Sequence, residues 1–143
     1  MMLTTKGRYA VMAMVDLSYY GGNDKITALY EIAERQEITV NYLEQLFSKL
    51  KKHNLVESHK GPGGGYRLSK LPKDISILEI INASGEDIKM TRCEKNSDGC
   101  LVKSNKICFT HVLWDGLDNT ISDYLYSVSL QDICNKANNK ADL

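Results

Sequence analysis

Apolar residues recur at helical spacing in the N-terminal part of the chain and predict three helices there. The first runs from about residue 6 to residue 20 and stops at Gly21 and Gly22. A short second helix follows, and Thr39 is a natural N-cap for the third, whose expected C-cap is Asn54. The third helix has one continuous apolar face, made of Leu43, Leu46, Phe47 and Leu50.

A β-hairpin is predicted directly after the third helix. Residues 55–58 and 66–69 are short strand-like runs, and the segment between them contains Gly63, Gly64 and Gly65. Three helices followed by a hairpin form the outline of a winged helix-turn-helix. The predicted fold class is therefore mostly α with a small β-hairpin wing.

The rest of the chain is predicted to hold a fourth helix, a long loop and two further helices. Ser76 and Glu79 form a capping box at the start of the fourth helix. Residues 84–107 lack periodicity, and a loop of this length needs something to organise it. A long helix from about residue 110 to residue 128 carries a wide apolar stripe with Trp114 as a large anchor, and a last short helix starts near Ser129.

The charges are distributed unevenly, although the net charge is zero. Residues 1–70 carry ten basic and seven acidic side chains, and residues 71–143 carry eight basic and eleven acidic ones. Between Lys49 and Lys70 there are six basic residues and one acidic residue, Glu57. This local surplus suits contact with phosphate, and a solvated helix end would explain it equally well.

The polar side of the third helix and the hairpin tip are the candidate DNA-reading surface. Gln can pair with adenine and Glu can accept from the cytosine amino group, whereas lysines suit phosphates. A glycine-rich tip beside Lys60 suits entry into a minor groove. An exposed polar helix face and a flexible hairpin are the simpler explanations. The predicted DNA-binding residues are Thr39, Asn41, Tyr42, Glu44, Gln45, Lys49 and Lys52 on the helix, and Lys60, Pro62, Gly63 and Gly64 on the hairpin.

Three cysteines and a histidine form a candidate metal site. They are Cys93, Cys100, Cys108 and His111, with six, seven and two residues between successive members. Structural zinc sites usually bring ligands in close pairs, and only the last two do so here. The wide spacing favours a larger group such as a binuclear iron–sulfur cluster, with redox cysteines without metal as the alternative. Cys134 lies on an apolar helical stripe and is expected in the core.

Several motifs together resemble the IscR family of winged-helix regulators of iron–sulfur cluster assembly, over nearly the whole chain. They are residues 3–11 (LTTKGRYAV), 42–47 (YLEQLF), 61–66 (GPGGGY), 91–93 (TRC) and 108–114 (CFTHVLW). The resemblance implies a homodimer built on the long helix and a [2Fe-2S] cluster held by Cys93, Cys100, Cys108 and His111. It also implies control of cluster-assembly genes, with Tyr42, Glu44 and Gln45 reading DNA from the helix and Lys60, Pro62, Gly63 and Gly64 from the wing.

The resemblance predicts three parts and leaves some questions open within the family. The parts are a winged helix-turn-helix DNA-binding domain over residues 1–83, a cluster-binding loop over 84–109, and a dimerisation helix with a C-terminal helix over 110–143.

The cysteine spacings look longer than in the best-known members, and Lys60 stands where arginine is expected. A nitric-oxide-sensing relative is the nearest competitor, but Arg8 and Ala10 occupy the stretch where its ligating aspartate is expected. A cluster-free regulator of cysteine metabolism is disfavoured by the complete ligand set.

Other classes of protein explain less of the sequence. No catalytic constellation is visible, so an enzyme is not expected. A small iron–sulfur electron carrier would need neither recognition helix nor wing, and a zinc-stabilised repressor would be colourless. The N-terminus has no apolar segment typical of a secretory signal, and no apolar run is long enough to span a membrane. We therefore expect a cytoplasmic repressor that binds double-stranded DNA, with cluster-assembly scaffold proteins as cluster donors.

Overall fold

The structure is a computed structural model that describes residues 5–88 and 108–141. Its elements, in chain order, are α1 (Thr5–Tyr20), α2 (Leu29–Gln36), α3 (Val40–Lys52), β1 (Val56–His59), β2 (Gly65–Leu68), a 3-10 turn (Pro72–Asp74), α4 (Ile77–Ala83), α5 (His111–Ser127) and α6 (Leu130–Ala141). The predicted fold class, mostly helical with one small hairpin, is confirmed. Cys93 and Cys100 lie outside the described residues.

Short polar side chains fix the starts of three helices, as their positions in the sequence predict. The Thr39 hydroxyl accepts a hydrogen bond from the Tyr42 N–H at 3.2 Å and caps α3. Ser76 and Glu79 exchange hydrogen bonds of 3.1 and 2.8 Å with each other's backbone N–H groups at the start of α4. At the start of α6 the Asp132 carboxylate accepts from the Ser129 N–H at 3.0 Å and the Ser129 hydroxyl from the Asp132 N–H at 3.1 Å. Each cap satisfies backbone groups that the helix leaves unpaired.

The end of α3 differs from the prediction by one residue. The C-cap is His53, and Asn54 follows it in the left-handed conformation with φ of 59°. The Leu55 N–H bonds to the Leu50 carbonyl at 3.1 Å, and the Asn54 N–H bonds to the Lys51 carbonyl at 3.0 Å. This pair of bonds defines a Schellman motif, in which Asn is one of the few residues that tolerate the left-handed position.

The hairpin is antiparallel and is anchored at its base to the segment before α2. Val56 pairs with Leu68 and His59 pairs with Gly65, so β1 starts one residue later than expected because Leu55 completes the end of α3. Thr27 and Tyr66 exchange two backbone hydrogen bonds of 2.8 Å each. A side chain on Gly65 would collide with the Thr27 carbonyl, which explains a glycine at this position.

One hydrophobic core joins α1 to α4 with the hairpin base and α6. Phe47, Met14, Leu17 and Ile80 are among its fully buried side chains. Backbone hydrogen bonds of 2.9 Å from Leu130 to Ile75 and from Ile77 to Val128 tie the start of α6 to the start of α4. The chain after α5 therefore returns to the part of the molecule that contains α1 to α4.

A buried ion pair connects α1 with the end of α2. The Asp16 carboxylate is fully buried and accepts two hydrogen bonds from Arg35 Nε, at 3.0 and 3.2 Å, and one from Nη2 at 2.8 Å. Gln36 Nε2 donates to the same carboxylate at 2.8 Å. The Arg35 guanidinium lies 4.2 Å from the centre of the Tyr20 ring, and its hydrogen bond to Asp16 raises its pKa above the ordinary value. The pair fixes α2 against α1 just before the turn that leads into α3.

The long helix α5 occupies the predicted position, with Thr110 and Val128 as its flanking residues. Its apolar stripe is divided between two sides of the helix. Ile121, Leu125 and Val128 pack against the core, whereas Leu113 and Tyr124 are exposed. Among the described residues no helix is long and apolar enough to cross a membrane.

Candidate nucleic-acid interface and metal centre

The recognition helix α3 presents its predicted DNA-reading residues on two different sides. Asn41, Glu44, Gln45 and Lys52 are all exposed, and they project away from the buried face of the helix. Thr39 is also exposed, and its hydroxyl oxygen is engaged in capping. The exposed set offers an amide pair, a carboxylate and an ammonium group, which is the chemistry needed for base edges and phosphates.

Tyr42 and Lys49 contact other parts of the protein instead. The Tyr42 ring meets the Tyr9 ring edge-to-face, with 5.8 Å between centroids and an interplanar angle of 87°. Burial, followed by the nearby Glu86 carboxylate, raises the pKa of the Tyr42 phenol. Lys49 Nζ donates to the Ser84 carbonyl at 3.4 Å and is half-buried. The Lys49 side chain is therefore directed towards the end of α4, whereas the Tyr42 ring packs against α1.

The wing exposes Lys60, Pro62 and Gly63, and its backbone has a shape that needs glycine. Gly61 and Gly63 have φ of 95° and 75°, and the Gly64 N–H closes the turn on the Gly61 carbonyl at 2.9 Å. A side chain on Gly64 would meet the carbonyls of His59 and Gly61. The glycines are thus required by the turn itself, and the exposed tip is a consequence of that turn.

Tyr66 joins the wing to the recognition helix and was not among the predicted site residues. Its ring packs on Phe47 of α3 with 4.9 Å between centroids. Its pKa is raised by burial and then by the Glu44 carboxylate, which places Glu44 near the junction of helix and wing. The available signal was an aromatic residue directly after the glycines, at the start of a strand. Asp16 was also missed, because a single acidic residue in α1 gives no indication of its partners on α2.

Besides Lys49, three of the six basic residues from Lys49 to Lys70 contact polar groups of the chain. Lys51 donates to Ser58 Oγ at 2.7 Å, Arg67 pairs with Glu57 at 3.1 Å, and Lys70 lies 3.7 Å from Glu79. Lys52 and Lys60 are exposed, one on the recognition helix and one on the wing. These two are the best placed of the predicted cations to meet phosphate.

Two of the four predicted cluster ligands lie at the first turn of α5. His111 is buried and begins the helix, and its N–H bonds to the Cys108 carbonyl at 3.2 Å. Cys108 is partly exposed, and its sulfur lies 3.1 Å from the Thr110 hydroxyl. A thiol and an imidazole are suitable donor types for an iron–sulfur cluster or for zinc, and here their residues share one turn of the chain. Cys134 is buried on α6, as expected for a core residue.

The described residues contain half of the proposed donor set, so they do not by themselves complete a metal site. Among residues 5–88 and 108–141 no group of three or more His, Cys, Asp or Glu side chains is close enough to hold a metal ion. They provide two donors, Cys108 just before α5 and His111 at its first residue. The chemistry of those donors agrees with the expected ligands.

The helix-turn-helix, the anchored wing and the exposed face of α3 together define a winged-helix DNA-binding regulator. Comparison with known proteins gives the family: the Rrf2 family, described as an iron-dependent transcriptional regulator, matches residues 3–136. The chain belongs to this family. Its relatives are transcriptional regulators rather than enzymes, which confirms the expectation that this chain is not an enzyme.

Individual relatives resemble the chain over most of its length. The HTH-type transcriptional regulator IscR of Sodalis glossinidius is 45% identical over 133 residues, covering 93% of this chain and 78% of the relative. IscR of Photorhabdus laumondii is 44% identical over 135 residues, covering 94% and 80%. Among solved structures, T. potens IscR has 34% identity and a TM-score of 0.74, covering 96% of this chain and 88% of its own. The global cysteine regulator CymR of B. subtilis has 28% identity and a TM-score of 0.76, covering 95% and 98%.

Proposed function

We propose that this transcriptional regulator binds a [2Fe-2S] cluster and uses it to control cluster-assembly genes as a repressor. The observation that carries the proposal is the position of Cys108 and His111 within one turn at the start of α5, where the His111 backbone N–H bonds to the Cys108 carbonyl. In this proposal Cys93 and Cys100 supply the other two ligands. The similarity to IscR proteins supports the cluster, while the similar fold of CymR means that the fold alone does not distinguish the two kinds of regulator.

The chain's own residues would act on the cluster in a defined way. The Cys108 sulfur and the His111 imidazole would hold the group at the start of α5, and ligation would constrain the residues that carry the other two cysteines. An imidazole must be neutral to bind iron, so protons compete with iron for it, and it holds iron less strongly than a thiolate does. We therefore expect a cluster that is lost more readily than one with four cysteine ligands, which suits a sensor of cluster supply.

Absorption spectra of anaerobically purified protein test the ligand set. Cys93→Ala, Cys100→Ala and Cys108→Ala should each abolish the visible absorption, and His111→Cys should give a more persistent cluster. Cys134→Ala is the matched control, because this thiol is buried on α6, and it should leave the spectrum intact. Bleaching by Cys134→Ala together with an unchanged spectrum for His111→Ala would reject these ligands.

For DNA reading we propose that Gln45 and Glu44 contact bases while Lys52 contacts a phosphate. Gln45→Ala should lose about 1–3 kcal/mol of base preference. Lys52→Ala should weaken all sequences alike and flatten the salt dependence. Glu44→Ala should broaden the range of bound sites, because a carboxylate in the groove excludes bases that lack a donor. Selection from a random DNA pool measures all three, and unchanged preference and salt slope would reject the assignment.

The remaining predicted DNA contacts belong to the same proposal. Asn41 and Thr39 lie at the exposed start of α3, and Lys60, Pro62, Gly63 and Gly64 form the wing tip that would enter the minor groove. Tyr42 is partly buried against Tyr9, and we propose that the part of its side chain that remains exposed contacts DNA. The family supports DNA binding in general, and footprinting of alanine variants would assign each residue.

We also propose a homodimer in which α5 packs against its copy. The supporting observation is an exposed apolar surface, called here the open face. It is made of Leu113, Gly116, Leu117 and Tyr124 on α5 and of Phe109 two residues before the helix. These residues recur at helical spacing on the side opposite to buried His111 and Asp118. A twofold dimer would match a pseudo-palindromic operator. On this basis residues 1–83 are the DNA-binding domain, 84–109 the cluster loop and 110–143 the dimerisation part.

Two other functions give different results in the same experiments. A nitric-oxide or redox sensor would also carry a visible cluster, but its DNA binding would respond to nitric oxide or oxidant and not to cluster supply. A small electron carrier would show the cluster without sequence preference on DNA. Transfer of cluster from purified scaffold proteins to the apo chain tests the proposed donors.

A further inference from the structure

The two sides of α3 differ in what they contact. Tyr42 and Lys49 are seven residues apart, which places them two turns apart on one side of the helix. Leu46 lies between them and is 3% exposed. Lys49 on this side contacts the Ser84 carbonyl, at the start of residues 84–88, which lead from α4 towards the cysteines. Gln45 and Lys52 are exposed on another side.

The partner of Lys49 is held firmly by its own hydrogen bonds. Ser84 is fully buried, and its N–H bonds to the Ile80 and Ile81 carbonyls at 3.1 and 3.2 Å. Its hydroxyl donates to the Ile81 carbonyl at 2.5 Å. The Ser84 carbonyl that accepts from Lys49 Nζ, at 3.4 Å, is therefore fixed at the end of α4. An ammonium group at the carbonyl end of a helix is electrostatically favourable.

The chain turns directly beneath this contact. Gly85 has φ of 93°, and a Cβ placed on it would lie 3.6 Å from Lys49 Nζ. Ile88 is 4% exposed and holds the other end of the segment in the core. Cys93 follows five residues later in the sequence. Residues 84–88 thus connect the recognition helix, through Lys49, with the part of the chain that carries the cysteines.

We propose that Lys49 is a positioning residue that links the recognition helix to residues 84–88, and not a phosphate contact. Through this link, a change in the cysteine-bearing residues would alter how Gln45 and Glu44 meet the bases. The proposal concerning the cluster rests on the function proposed above, whereas the role of Lys49 on α3 does not.

Salt dependence of DNA binding distinguishes a positioning lysine from a phosphate contact. The probes are a duplex selected by the wild-type protein from a random pool and a random-sequence duplex. Lys52→Met should lower the slope of log affinity against log salt by about 0.9 and weaken both duplexes alike. Lys49→Met, which keeps the aliphatic stem, should leave the slope unchanged and lower the ratio of selected to random binding at least about twofold.

Three further variants complete this test. Lys49→Arg should restore the ratio, because it retains a donor at the Ser84 carbonyl. Gly85→Ala should also lower the ratio at unchanged slope, although it is remote from the exposed side of α3. Gly22→Ala is the matched control, since Gly22 has φ of 63° with open space around it, and it should change neither quantity. Thermal unfolding of each variant confirms that the protein remains folded.

A slope lowered by about one unit in Lys49→Met would overturn the proposal, as would an unchanged ratio in both Lys49→Met and Gly85→Ala. Cluster dependence is measured separately, on apo and reconstituted protein. If cluster loading shifts the preference of the wild type between two selected duplexes, Lys49→Met should reduce that shift and Lys52→Met should not. A wild type that binds no cluster would refute the proposed function, while the salt slopes would still decide the role of Lys49.

Discussion

The part of the molecule from α1 to α4 differs from the helix α5 in how far its apolar side chains are buried. In the former, called here the winged part, the helical apolar faces meet one another, and side chains such as Phe47, Leu43 and Ile32 are fully buried. In α5 one apolar side packs on the core, whereas Leu113 and Tyr124 on the open face are 61% and 62% exposed. The apolar residues of α5 recur at helical spacing, as those of α3 do, so periodicity alone does not say which surface covers an apolar face.

This difference indicates that the winged part buries its apolar faces within one chain and needs no second surface to cover them. Polar contacts within the chain also stabilise it, among them the Asp16–Arg35 pair and the Thr39 cap. Thr110, at the corresponding position before α5, makes no side-chain cap hydrogen bond. We infer that α5 depends on additional contacts, which the proposed dimer and the proposed cluster would supply.

The largest expected effect is in the winged part, at its buried ion pair. Asp16→Ala removes the acceptor of Arg35 and Gln36 and leaves Arg35 without its counter-charge. Because the Arg35 side chain is partly exposed, we expect a loss of about 3 kcal/mol in unfolding free energy, at the lower end for broken buried pairs. Chemical denaturation measures this loss.

The matched control is Glu57→Ala, which breaks an exposed pair with Arg67 at 3.1 Å. That change should cost less than about 1 kcal/mol. Equal losses in the two variants would show that the winged part does not depend on its internal polar contact.

The next effect concerns the open face of α5. Leu113→Asp places a carboxylate at the proposed dimer interface, and a central apolar contact of this kind contributes about 2 kcal/mol or more. Dimer affinity measured by sedimentation should fall roughly 30-fold. The helical content of the winged part should not change, because Leu113 is exposed in the single chain.

Asn119→Asp introduces the same charge on a different side of α5 and should leave the dimer intact. If the wild type is a monomer at micromolar concentration, or if both variants behave alike, the open face is not a dimer interface.

A smaller effect is expected where the wing joins the winged part. Gly65→Ala pushes a methyl group against the Thr27 carbonyl and should separate the Thr27–Tyr66 bridge. Overpacking of this kind costs about 1–3 kcal/mol, visible as a lower midpoint of thermal unfolding. Gly116→Ala in the Leu113→Asp background is the contrasting change on α5, where nothing lies within 4 Å. It should stabilise that helix by up to about 1 kcal/mol, and a loss there as large as that at Gly65 would contradict the comparison.

The smallest effect contrasts the two threonines before α3 and α5. Thr39→Ala loses the hydrogen bond from the Tyr42 N–H and should cost about 1 kcal/mol. Thr110→Ala loses no cap and should change the unfolding free energy by less than about 0.5 kcal/mol. A larger loss of unfolding free energy in Thr110→Ala would mean that the Thr110 side chain caps α5 in solution, as Thr39 caps α3.

The helices, their starts and the presence of the wing could be predicted because they depend on residues close together in the sequence. Thr39, Ser76 and Ser129 each bond to a backbone group three residues away, and the apolar face of α3 follows a period that any isolated segment reveals. The C-cap at His53 and the shift of β1 lay within one residue of expectation, since local turns compete closely at element ends.

What the tertiary structure decided is the set of partners across elements. The sequence predicted Lys49 as a DNA-binding residue together with Lys52. Its contact with Ser84 depends on how α4 packs against α3. Likewise Asp16 meets Arg35 only because α1 crosses the end of α2, and Gly65 is required only because Thr27 lies against it. Local periodicity determines which side of a helix is apolar. Which side of one helix packs against which side of another depends on contacts between segments that are distant in the sequence. A local pattern holds no information about those contacts.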